Sequence, residues 1–91
     1  MGFKKNVKEI LSLPTEMKFE SVKNIFEFFG FKLLKFNGSH ACFVNEGTND
    51  DKKKIYTFPT VNGRNVKKWY LKEIIRFLDL QEWNESEKWR S

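Results

Sequence analysis

Two stretches of the chain carry apolar residues at the spacing of an amphipathic helix. The first stripe consists of Phe19, Val22, Ile25, Phe26 and Phe29. The second consists of Val66, Tyr70, Leu71, Ile74, Ile75 and Leu78. Because residues three and four apart share one face of a helix, these stripes predict helices over 18–29 and over 65–78. Gly30 is the expected left-handed end of the first helix, and Asn65 is the expected N-cap of the second.

Between the two helices the apolar runs are short, which is typical of β-strands. The first strand is predicted over 31–36 and its returning partner over 39–45. Asn37-Gly38 joins them as a two-residue hairpin turn, because both residues tolerate positive φ. A third strand over 54–58 is stopped by Pro59. This order predicts an α+β fold in which two helices cover one face of a three-stranded antiparallel sheet and leave the other face exposed.

The length of 91 residues favours a single domain. Its core is expected over about 17–80, between an N-terminal extension over 1–14 and a polar tail over 81–91 that we expect to be partly loose. Apolar residues in the N-terminal extension predict a short additional helix over 3–13.

Composition excludes several classes of protein. Hydrophobic residues make up 40% of the chain, which is too many for an intrinsically disordered protein. No apolar stretch is long enough to span a membrane. The chain has one cysteine, Cys42, and one histidine, His40, which are too few for a disulfide or a zinc site. The pair Asp50-Asp51 is more typical of a turn than of a metal site. We therefore expect a soluble, cytoplasmic domain without a metal or another cofactor.

Positive charge is concentrated in the middle of the chain. The net charge is +5, and residues 31–72 carry nine Lys and Arg against three Asp and Glu. Four of these cations stand near the start of the second predicted helix: Arg64, Lys67, Lys68 and Lys72. Because a helix start favours anions over cations, this cluster indicates a polyanionic partner such as RNA. A solvated charged surface is the alternative explanation of the same residues.

The candidate for chemistry is Gly38-Ser39-His40, beside the predicted hairpin turn. Histidine exchanges protons near neutral pH, and a strand residue next to a turn is both held in place and reachable. Gly38 would let a phosphate approach the backbone, and the Ser39 hydroxyl would donate a hydrogen bond to it. A histidine that only contacts solvent is the alternative reading of this short motif. Cys42 lies two residues further on, where a buried apolar cysteine is the simpler interpretation.

In four places the sequence resembles the HicA toxins. The run over 19–31 ends in the Gly-Phe that closes the first helix of that family. Asn37-Gly38-Ser39-His40 follows at the usual distance and is similar to the family's Gly-Ser-His signature. Thr57-Phe58-Pro59 is similar to its strand-ending element, and the segment 66–75 resembles its last helix. The resemblance covers about residues 17–80, with the four elements in the family's order.

The resemblance implies a double-stranded-RNA-binding-domain-like α-β-β-β-α fold and ribosome-independent cleavage of mRNA. It also implies that the motif histidine, His40, is essential and that a HicB antitoxin neutralises the protein. The chain departs from the family at Ala41, where many relatives have a second histidine or a bulky residue. The loop over 46–53, the first 14 residues and the tail are also longer than the family core.

These observations together predict a metal-independent endoribonuclease toxin that cleaves mRNA with the single catalytic residue His40. The residues expected to bind RNA are Lys35, Gly38, Ser39, Arg64, Lys67, Lys68 and Lys72. Of these, Lys35, Lys67 and Lys68 are candidates to neutralise charge on the reacting phosphorus. Two alternatives remain: a non-catalytic RNA-binding module of the same fold, and an interaction domain whose basic surface binds an acidic protein.

Overall fold

The computed structural model describes residues 2–37, 39–46 and 54–85. The elements in chain order are α1 (Gly2–Leu11), β1 (Glu16–Lys18), α2 (Phe19–Phe28), β2 (Lys32–Asn37), β3 (His40–Asn45), β4 (Lys54–Pro59), β5 (Asn65–Lys67), α3 (Lys68–Leu78) and α4 (Leu80–Glu85). Strands β2, β3 and β4 form an antiparallel sheet in that order, and β1 pairs antiparallel with β5 in a separate ribbon. The predicted α+β fold with a three-stranded antiparallel sheet is thus confirmed.

Helices α2 and α3 pack on the same face of the sheet. Phe26 of α2 stacks on Phe43 of β3 with ring centroids 4.5 Å apart, and it lies 5.8 Å from Phe58 of β4. Phe77 of α3 stacks on Tyr56 of β4 at 4.5 Å. Because successive strand residues point to opposite faces, these contacts fix which strand residues face the helices and which face away from them.

The β1–β5 ribbon joins the starts of the two long helices. Met17 and Val66 are direct partners in it, and both are buried. The backbone N–H of Phe19 donates to the carbonyl of Arg64 at 2.8 Å, and the N–H of Lys68 donates to the carbonyl of Thr15 at 3.0 Å. The ribbon therefore satisfies one free N–H at the start of each helix. Neither strand was predicted, because three residues are too few for an alternating pattern to be recognised.

The predicted N-cap at Asn65 is wrong. Asn65 lies in β5, where it pairs with Lys18, and α3 begins only at Lys68. Lys67 is the N-cap, with an extended backbone and no capping hydrogen bond from its side chain. The reason is that pairing with β1 brings Val66 into the core and keeps this segment extended.

Both ends of the described chain add to the core. Helix α1 confirms the predicted N-terminal helix, and its residues Val7 and Ile10 are buried among those of the longer helices. Residues 81–85 of the predicted polar tail belong to α4, and Leu80 at the start of this helix is fully buried. The remainder of the tail, 86–91, lies outside the described residues. None of the described helices has the length and apolar character that crossing a membrane requires.

Candidate functional site

The strand before the histidine hairpin continues one residue further than predicted. Asn37 and His40 are direct partners, so Asn37 belongs to β2 and is not the turn residue that its sequence pattern predicts. The strand also has a β-bulge between Leu33 and Lys35, which adds one residue to β2 relative to β3. The bulge allows Leu33 and Phe36, three positions apart, to face the helices together, opposite Phe43 and Ala41. Gly38 itself lies outside the described residues.

His40 is exposed on the face of the sheet that α2 and α3 leave uncovered. Its cross-strand partners are Asn37 in β2 and Pro59 in β4. Cys42 follows on the same face and is half-buried between its own partners Lys35 and Thr57. Because neighbouring pairs on one face lie about 7–8 Å apart, the flexible stem of Lys35 can bring its ammonium group to a phosphate held at the imidazole.

Thr60 holds the backbone just before His40. Its side chain is 8% exposed, and its hydroxyl donates to the carbonyl of Ser39 at 2.9 Å. Its backbone N–H donates to the same carbonyl at 2.6 Å. The hydroxyl also accepts a hydrogen bond from the N–H of Gly63 at 3.0 Å. The turn that carries the histidine is therefore tied to the turn at residues 62–63.

Sequence reasoning missed the role of Thr60. A usable signal was present, because a threonine three residues before a glycine fits a turn in which the hydroxyl binds a nearby backbone N–H. Asn62 and Gly63 both have positive φ, of 54° and 73°. Asn62-Gly63 thus has the positive φ angles that an Asn-Gly turn is expected to have.

Three of the predicted RNA-binding residues lie around His40. Ser39 directly precedes it in the turn, and Lys35 lies one pair along the exposed face. Lys67 lines a depression of about 260 Å³ together with Pro59 and Thr60. Because Pro59 is the β4 partner of His40, Lys67 stands at the same end of the sheet.

The other predicted cations point elsewhere. Arg64 precedes β5 and lines a groove beside Phe36. Lys72 lines a third depression, formed with Leu11 of α1. Lys68 is exposed in the first turn of α3. Arg64, Lys67 and Lys72 therefore face three different depressions instead of forming the single cluster that their spacing predicted.

The exposed imidazole can accept or release a proton, and the neighbouring ammonium groups can stabilise a phosphate. Over residues 2–37, 39–46 and 54–85, no group of three or more His, Cys, Asp or Glu side chains is placed to hold a metal ion. The predicted turn at Asp50-Asp51 lies outside these ranges. Comparison of the chain with protein-family models, with curated proteins and with solved structures gives no match.

Proposed function

We propose that the protein is a HicA-like toxin, a metal-independent endoribonuclease that cleaves mRNA at His40. The proposal includes a double-stranded-RNA-binding-domain-like fold, a cytoplasmic location and a HicB-type antitoxin as protein partner. The observation that carries it is the position of His40, exposed on the face of the sheet opposite α2 and α3, with Lys35 one pair away. The resemblance of the Gly38-Ser39-His40 motif to the HicA signature supports the same assignment.

The chemistry that fits one histidine and nearby lysines is transfer of the phosphoryl group to the 2′-hydroxyl of the RNA. The 2′-oxygen forms a bond to the adjacent phosphorus, and the bond to the 5′-oxygen breaks. His40 either takes the proton of the 2′-hydroxyl or gives a proton to the departing 5′-oxygen, and water exchanges the other proton. Lys35 and Lys67 stabilise the extra negative charge on the phosphorus oxygens. The products are a 2′,3′-cyclic phosphate and a 5′-hydroxyl.

The test is an RNA-cleavage assay in EDTA with the unaltered protein, His40→Ala and the control Asn24→Ala. Asn24 is an exposed residue of α2, on the other side of the sheet. Both replaced side chains are exposed, so we expect unchanged circular dichroism spectra and unfolding temperatures. Cleavage should be lost in His40→Ala alone.

Two results would overturn this assignment. Unchanged cleavage by His40→Ala would remove His40 from the reaction. If no protein cleaves RNA and yet all bind it with a steep dependence on salt, the chain is the non-catalytic RNA-binding module.

A modified substrate separates the two roles open to His40. Replacing the departing 5′-oxygen with sulfur gives a leaving group that needs no proton. If His40 is the general acid, His40→Ala recovers cleavage of this RNA. If His40 is the general base, the same variant remains inactive on it.

A further inference from the structure

A second concave surface lies on the opposite side of β2 from His40. It is a groove of about 600 Å³ between the start of α2, β2 and the turn before β5. Its apolar floor is formed by Phe19, Leu33 and Phe36. Sites for small organic groups have volumes of about 300–1,000 Å³ and are lined mostly by apolar side chains. The groove is therefore large enough for one nucleotide.

The floor offers an aromatic ring that is both held and accessible. Phe36 is 41% exposed, although its ring centroid lies 4.9 Å from that of Phe19. Gly63 lies against the edge of the same ring, and a Cβ at this position would be 3.5 Å from the Phe36 Cζ atom. An exposed ring supported from behind is the platform on which proteins stack unpaired bases.

The rim of the groove is cationic. Lys18, Lys23 and Arg64 line it together with one carboxylate, that of Glu20. Lys23 also forms an ion pair with Glu27 at 3.8 Å, so Lys18 and Arg64 are the cations best placed for a ligand. An aromatic floor with a positive rim complements a ligand that joins a flat ring to phosphates.

The groove is close to the candidate cleavage site along the chain and in space. Phe36 is the direct partner of Ala41, the residue after His40. Strand geometry therefore places the Cα atoms of Phe36 and His40 about 6 Å apart, with their side chains on opposite faces. Because β2 is an edge strand, an RNA strand can pass around it from one face to the other, beside the exposed Lys35.

We propose that this groove binds a nucleotide that flanks the scissile phosphodiester, with its base on Phe36 and its two phosphates on Arg64 and Lys18. The inference rests on the proposed function, because it takes RNA as the ligand and His40 as the point of cleavage. The groove adds a binding subsite on the second face of the sheet, so that the bound RNA passes around the edge of β2.

The first test measures RNA binding in the His40→Ala background, so that the RNA stays intact. The double variant Lys18→Gln/Arg64→Gln is compared with Lys5→Gln/Arg76→Gln, which removes the same charge from exposed positions outside the groove. The affinity of a labelled single-stranded RNA is measured by fluorescence anisotropy over a range of salt concentrations. Loss of two phosphate contacts should reduce the slope of log K against log salt by about 1.4 in the groove variant and by much less in the control.

The second test locates the base. Single abasic positions are introduced along the RNA, and one position next to the cleavage site should weaken binding by about tenfold through lost stacking. Phe36→Leu keeps an apolar contact with Phe19 but has no aromatic face, so binding to this variant should no longer depend on that base. The affinities of intact and abasic RNA are compared for the same protein, so a lower stability of Phe36→Leu does not affect the result.

The outcomes separate the two proposals. Equal slopes for the groove variant and its control, or an abasic effect that Phe36→Leu leaves intact, would overturn the groove while cleavage at His40 stands. RNA binding that is absent even in the control would overturn the groove and the proposed function together.

Discussion

At the scale of single residues, Thr60 shows how a buried hydroxyl can position an exposed side chain. It binds the Ser39 carbonyl through both its hydroxyl and its backbone N–H, and it accepts the Gly63 N–H. His40 lies on the face of the sheet opposite α2 and α3, so packing against these helices does not hold the backbone before it. Thr60 supplies that support.

We predict that Thr60→Val destabilises the fold by about 1–3 kcal/mol, because it removes two hydrogen bonds, the one that the hydroxyl donates to the Ser39 carbonyl and the one that it accepts from the half-buried N–H of Gly63. Thr15→Val, at an exposed threonine, should change the free energy of unfolding by less than about 0.5 kcal/mol. Urea unfolding of both variants measures the difference. Equal stability of the two would show that the Thr60 hydroxyl does not hold the turn.

The exposure of His40 could be predicted from the sequence, because a strand residue next to a hairpin turn is usually reachable from solvent. The hydrogen bonds that fix it could not, since Thr60 lies 21 residues from Ser39. Contacts between distant residues leave no periodic signal in the sequence.

At the scale of elements, Phe26 organises the contact between α2 and the sheet. Its ring lies within 6.0 Å of those of Phe31, Phe43, Tyr56 and Phe58. Burial of the ring and its stacking together stabilise the helix on the strands. Phe28, two residues later on the same helix, is 48% exposed and contacts Phe29 and Trp83 instead.

We predict that Phe26→Ala lowers the free energy of unfolding by about 3–5 kcal/mol, since it leaves a cavity among four aromatic rings. Phe28→Ala is the matched control and should cost about 1 kcal/mol. Chemical unfolding followed by circular dichroism compares them. Similar losses for the two variants would contradict the packing described for α2.

Tyr56 couples the sheet to α3 in a pH-dependent way. Burial raises the pKa of Tyr56 above its ordinary value of 10.0, and the nearby charge of Glu73 raises it further. The folded state therefore holds this proton more tightly than the unfolded state does. The resulting stability is fully present below pH 10.0 and is lost as the pH rises through the higher pKa of the folded protein.

We predict that Tyr56→Phe loses less stability than the unaltered protein when the pH is raised above 10.0. Glu73→Gln should reduce the alkaline loss by a smaller amount, because burial is the larger cause of the shift. Unfolding in urea at neutral and alkaline pH provides the measurement. Equal losses of stability in all three proteins would show that the folded state does not hold the Tyr56 proton more tightly.

The two long helices and the three longer strands could be predicted from periodicity, whereas the register between them could not. Asn37 pairs with His40 and so belongs to β2, and a bulge between Leu33 and Lys35 shifts the register of that strand. A bulge cannot be recognised by counting residues. The three-residue spacing of Leu33 and Phe36 does indicate a bulge, but only when both side chains are known to face the core. The short strand β5 likewise displaced the N-cap of α3 from Asn65 to Lys67.

At the scale of the whole molecule, the fold separates cations that are close in sequence. Lys67 lies beside the His40 end of the sheet, Arg64 faces the groove at Phe36, and Lys72 faces α1. The net charge of +5 can attract RNA as a whole, because the field of the molecule acts over about 8–10 Å. The local arrangement then decides where the strand lies.

We predict that an RNA with one 2′-deoxy nucleotide at the cleavage site resists cleavage but still competes with normal RNA for binding. The 2′-hydroxyl is the attacking group in the proposed reaction, whereas phosphate contacts are unchanged by its removal. Gel analysis of the products and a competition assay measure the two effects. Cleavage of the modified RNA at the same bond would require a different nucleophile and would contradict this chemistry.

The central claim is that His40 performs chemistry and does not merely bind RNA. The most direct test compares single-turnover cleavage by the unaltered protein and His40→Ala, in EDTA, with the protein well above its dissociation constant for RNA. At equal RNA occupancy and with matched circular dichroism spectra, we predict that His40→Ala is slower by about 10²–10⁴-fold, the contribution of one acid–base group. Equal rates at equal occupancy would contradict the claim and leave the histidine without a catalytic role.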